Sequence, residues 1–161
     1  MSEVEKVTNK AIEDGGVLIN FYMDLHGSSE EIIKNTGTGF VQKIIKEKGV
    51  VYAVGKIMEP IKNDDVYSTT LELKILTKDF VSLAELCASY SPFSIDILKP
   101  DSMKFGIDKM HDILMFISTT TMTYKKHILN KMSSKEDQEK YQKHMKNRAD
   151  LGKKLRGSKH E

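Results

Sequence analysis

Asp24 and His26 stand two residues apart, and Asp108, His111 and Asp112 follow one another closely further along the chain. A carboxylate beside an imidazole can hold a metal ion, but zinc takes three or four such ligands and each group lacks a defined third or fourth. A small enzyme with its site near His26 or His111 is therefore one reading of the chain. Gly37-Thr38-Gly39 could offer backbone amides to a phosphate. The phosphate-loop pattern and the dinucleotide fingerprint are both absent, so these glycines read as a turn or a helix break. No Ser or Cys has the glycine setting of an activated nucleophile. His127, His144 and His160 lack clustered partners, and the single Cys87 excludes an internal disulfide and a cysteine-rich zinc site. Cys87 follows Leu83, Ala84 and Leu86 in a helical pattern and reads as a small buried side chain. No catalytic group, cofactor or metal is expected.

The elements that must position these groups follow from hydrophobic spacing. Val4, Val7, Ala11 and Ile12 recur at helical intervals before Gly15-Gly16, predicting a short N-terminal helix over 1–15. Val17, Ile19, Phe21, Met23 and Leu25 then alternate with Leu18, Asn20, Tyr22 and Asp24, which predicts a strand with one buried face. Ser28-x-x-Glu31 has the form of a capping box, opening a helix that runs to about Lys48. Two strands follow as a hairpin, divided by Pro60 and Asn63-Asp64-Asp65, then a helix through Phe80, Leu83 and Leu86. A closing strand carries Phe93, Ile95 and Ile97 toward the helices and stops at Pro100. The order strand, helix, strand, strand, helix, strand predicts an α+β fold, a ferredoxin-like βαββαβ two-layer sandwich over 16–100. Its second face, with Asn20, Tyr22, Tyr52, Lys56, Thr70, Glu72, Lys74 and Asp96, is left as a mixed polar surface for a ligand, a partner or another subunit.

A helical arm is expected over 101–156, with a flexible tail at 157–161. Ile107, Met110, Leu114, Ile117, Thr121, Tyr124 and Ile128 step by three and four in turn, the spacing of a packing seam between helices. Ser118-Thr119-Thr120-Thr121 within it are poor helix formers, so packing must override their weakness. Ser133-x-x-Glu136 restarts a polar helix.

The 161 residues carry 25 Lys/Arg and 23 Asp/Glu, a net charge of +2. Residues 134–161 hold nine basic against five acidic side chains, leaving sixteen against eighteen in residues 1–133, so the tail is near +4 and the body near −2. Lys143, Lys146, Arg148, Lys153, Lys154 and Arg156 could therefore approach nucleic acid. Interleaved acids make a solvated charged helix the plainer reading. No apolar run approaches the ~20 residues that span a bilayer, and no leader opens the chain, so a cytoplasmic protein with no membrane partner is expected.

From Tyr67 to Leu114, the run YSTTLELKILTKDFVSLAELCASYSPFSIDILKPDSMKFGIDKMHDIL resembles the C-terminal extension of WYL-domain transcriptional regulators. There too a strand and helix end in a turn, a strand closes on a valine-leucine-acid-proline phrase, and a helix departs. Here Ser91-Pro92 stands for the usual glycine turn, and Lys99 stands where an acid is common in the phrase ending at Pro100. The resemblance implies a regulatory module that senses a small ligand or self-associates; it does not imply DNA binding by this chain. A homo-oligomer, with a small molecule as possible ligand, is the leading expectation; a nucleic-acid accessory protein is the alternative.

Overall fold

In a computed structural model, residues 2–132 and 134–157 are described. The chain divides into two compact units, Met1–Phe116 and Ile117–Glu161. The first contains α1 (Glu3–Glu13), β1 (Val17–Gly27), α2 (Glu30–Ile45), β2 (Val50–Ile57), β3 (Ile61–Asn63), β4 (Val66–Thr77), α3 (Phe80–Tyr90) and β5 (Ser94–Lys99). Helix α4 (Ile107–Met132) begins in this unit, and α5 (Lys135–Gly157) lies in the second.

The fold class is α+β, with a five-stranded antiparallel sheet in the order β2-β4-β1-β5 and β3 also paired to β4. The long β1–β4 pairing sets the core. It places Phe21 opposite Leu73, Ile19 opposite Ile75 and Met23 opposite Leu71, and all of these are buried. Helices α2 and α3 close this face through Ile33, Ile44, Leu83 and Leu86. Period-2 alternation in β1 and β4 thus becomes one continuous apolar layer. Tyr90 ties α3 to α2, with its hydroxyl donating to Glu47, its ring edge-on to Phe40 at 6.4 Å, and Lys43 5.6 Å above it. Burial first, then the Glu47 carboxylate, push the Tyr90 hydroxyl up to about 12.

Several expectations change at the element ends. The cap of α2 is Ser29, not Ser28; its hydroxyl accepts from the Ile32 amide, and its extended backbone lets the helix start at Glu30. A complete capping box occurs instead in α1, where Ser2 and Glu5 satisfy each other's amides. Helix α2 runs unbroken through Gly37-Thr38-Gly39. Gly37 is buried there because a Cβ would come within 2.7 Å of Ile57 Cδ1, so the glycine serves close helix–sheet approach and not a phosphate turn. The hairpin is also more elaborate, since β3 intervenes and Asp64, with φ +52°, makes the tight turn into β4.

Two larger differences concern the sheet faces. The second face is not wholly open, because α1 packs across β1 and β4. Thr8 is its one buried residue; the hydroxyl donates to Val4 O at 2.7 Å and meets Tyr52 OH at 3.1 Å. Of the apolar positions at helical spacing, Val4 and Val7 are exposed, and the helix turns Thr8, Ala11 and Ile12 inward. Strand β5 is the other surprise. Ile95 and Ile97 pair with Phe21 and Ile19, yet every β5 residue is exposed because the helices stop short of this edge. Phe93 and Ile97 remain 59% and 58% exposed. Cys87 sits at the margin of the core, partly exposed, with burial raising its thiol.

Candidate functional site

The register of β1 against β4 builds the most chemical-looking cluster in the molecule. His26 pairs with Ser68 and lies two residues from Asp24 on one face of the pleat. The imidazole Nε2 is 2.9 Å from Asp24 Oδ2, and Nδ1 is 2.9 Å from Ser68 Oγ. Hydrogen bonding from His26 is the main cause holding the Asp24 carboxyl below its ordinary value. A carboxylate, an imidazole and a hydroxyl in this order can in principle move a proton from the hydroxyl. That chemistry also demands preorganised oxyanion donors and a site shielded from water. With the His26 and Asp24 side chains 59% and 67% exposed, water is not excluded, and the chain of bonds acts as a cross-strand tie.

Further along the same face, Asn20 donates to Tyr22 at 3.4 Å and Tyr22 donates to Asp96 at 3.0 Å, linking β1 to β5. Asn20 Oδ1 is buried without a protein donor. For the Tyr22 hydroxyl, the donation from Asn20 lowers the pKa. Asp96, burial and the charge of Glu72 outweigh that effect and raise it. Pleat parity alone made Asp24 and His26 neighbours in the sequence. Ser68 was missed as their partner because it lies on another strand, and only the β1–β4 register brings it there.

The second expected group is looser. His111 Nδ1 lies 3.8 Å from Asp112 Oδ1 with both side chains exposed, and Asp108 does not join them. Among the described residues no group of three or more His, Cys, Asp or Glu side chains could hold a metal. His160 lies outside the described residues.

Helix α4 carries the seam. Ile107, Met110, Leu114, Ile117, Thr121, Tyr124 and Ile128 are all exposed, and the helix has no buried residue. Leu114 is 66% and Ile117 53% exposed. Ile113 and Phe116, one residue away in each case, are half-buried, so the seam points away from the side that packs.

On α5, Ser134 accepts from the Asp137 amide at 3.3 Å and caps the helix; the cap anticipated at Ser133 lies outside the described residues. Lys143, Lys146, Arg148 and Lys153 are exposed, while the side chains of Lys154 and Arg156, and the tail beyond Gly157, lie outside the described residues. At helical spacing Lys143, Lys146 and Lys153 share a side, but Glu139 and Asp150 fall on it too. Lys140 pairs with Glu136 at 2.8 Å, so the helix presents mixed charge.

Among the described residues, no helix is long and apolar enough to cross a membrane. Sheet, caps and seam together define an α+β protein whose conspicuous surface is an exposed apolar helix face. The chain belongs to the MJ0538 family, which it matches over residues 18–148. No curated protein and no solved structure matches it.

Proposed function

We propose that the chain is a self-associating, ligand-sensing module that assembles through the α4 seam. One observation carries the reading: a 26-residue helix exposes an apolar stripe at alternating three- and four-residue steps, and none of its residues is buried. Each large apolar side chain gains about 1.5–3 kcal/mol on full burial, so a stripe of six is costly to leave in water. Alternating spacing of this kind is the repeat by which helices pack on one another. A second copy supplies the same stripe and so satisfies both partners at once.

The order β2-β4-β1-β5, with α2 between β1 and β2 and α3 between β4 and β5, supports placing the core in the ferredoxin-like class. On this reading β3 is an addition on the β2 side of β4. The ligand-sensing half of the proposal follows from the resemblance of residues 67–114 to the extension module of WYL-domain regulators. Fewer observations favour the alternatives, since α5 interleaves acids with its lysines and the Asp24–His26–Ser68 tie is open to water. Sedimentation equilibrium tests self-association: the wild-type chain sediments as a dimer or larger and Ile117→Glu as a monomer, whereas a monomeric wild type overturns the reading.

A further inference from the structure

A cleft of about 390 Å³ opens within the first unit, where β4 runs into α3 and the segment after β5 runs into α4. Three lysines line it, Lys78, Lys104 and Lys109. Among the described residues none of the three closes an ion pair within 4 Å. Two acidic residues, Asp14 and Asp79, also line the cleft. Asp79 is already engaged, accepting from the Ser82 amide and the Ser82 hydroxyl at 2.8 Å each. Lys78 and Lys109 still act on it. Burial alone would raise the Asp79 carboxyl, but the Ser82 bonds and the two lysines outweigh that and hold it low. Like charges gathered in a concave site raise one another's energy and attract an anion.

The cleft also has an aromatic wall. Phe80 and Phe105 lie 5.3 Å apart between ring centroids, tilted by 59°, and both are half-buried. Both rings also line an adjoining recess of about 470 Å³, together with Ile97, Met103, Asp101 and Ser102. Small-molecule sites typically occupy ~300–1,000 Å³ and pair an apolar wall with a few convergent polar groups, as this one does. Lysine contacts phosphate as a point charge, and an aromatic ring stacks on a planar base.

We propose that this cleft binds a phosphorylated ligand with a planar body, of the mononucleotide class. Lys78, Lys104 and Lys109 hold the phosphate, and Phe105 and Phe80 flank the ring. The inference rests on the ligand-sensing half of the proposed function and is independent of the assembly state.

Two-dimensional amide NMR on the full chain tests it, with adenosine monophosphate as the probe and inorganic phosphate and adenosine as its halves. Adenosine monophosphate should move the amides of residues 78–80 and 104–109. Lys104→Ala and Lys109→Ala should each weaken it by about two- to fivefold, the factor an exposed charge contact contributes. Phe105→Leu should weaken adenosine monophosphate but leave phosphate unchanged. The proposal is overturned if these amides stay still at about 10 mM probe, where a millimolar complex is mostly formed. Shifts confined to the lysines of α5, or an unchanged affinity in the Lys104→Ala/Lys109→Ala variant, overturn it as well. None of these outcomes alters the sedimenting mass, so failure of the ligand site and failure of self-association are read separately.

Discussion

At the scale of single residues, Asp24 offers the cleanest check on the sheet face. His26 donates to its carboxylate, and the folded carboxyl titrates below the ordinary 3.8. A depressed folded value means that the bond's contribution to stability is present above about pH 3.8. It is lost as the pH falls through the lower folded value. Carboxyl NMR should place the Asp24 inflection below 3.8 in the wild type, and His26→Ala should return it toward 3.8. An unmoved inflection would mean that the tie is absent in solution. The Asp24–His26 half of this cluster was legible from period-2 alternation, because residues two apart on a strand share a face. Ser68 was not legible, since its place beside His26 depends on a pairing 42 residues away in sequence.

For the elements, local pattern located the strands and helices well and their ends less well. Alternation gave β1, and β-branched or apolar runs gave β2 and β4, because these residues must cover a core on one face. Caps slipped by one residue at Ser29, where adjacent serines offer the same chemistry and backbone geometry chooses between them. The glycines of α2 were misread because the need for close approach to Ile57 is invisible in one segment. Gly16 is a sharper case. A Cβ there would sit 2.6 Å from both Ala11 O and Thr77 O, backbone atoms that cannot swing aside. Gly16→Ala should therefore destabilise the protein by about 1–3 kcal/mol in urea unfolding. A change below about 0.5 kcal/mol would show that α1 is not seated on the sheet as described. The edge strand supplies a paired prediction. Phe21, fully buried, should cost about 3–5 kcal/mol when changed to Ala, as buried aromatic side chains do. Phe93, mostly exposed, should cost no more than about 1 kcal/mol in the same assay, and equal losses would place β5 under cover.

For the whole molecule, the sequence showed a core followed by helices but not the second layer that α1 builds over the sheet. An amphipathic pattern tells which residues are apolar, and in α1 it is Thr8, its hydroxyl satisfied by Val4 and Tyr52, that is buried while Val4 and Val7 are exposed. The α4 seam is the reverse case. Its spacing was plain in the sequence, and in the folded chain all seven positions face solvent. An apolar repeat left exposed along one helix is the ground for the claim that a second copy covers it. Sedimentation equilibrium of the wild-type chain at about 50 µM, a concentration at which a micromolar complex is largely assembled, tests that claim most directly. The account predicts a mass of at least twice the 18.3 kDa chain, falling to 18.3 kDa in Ile117→Glu; a wild-type mass of 18.3 kDa would contradict it.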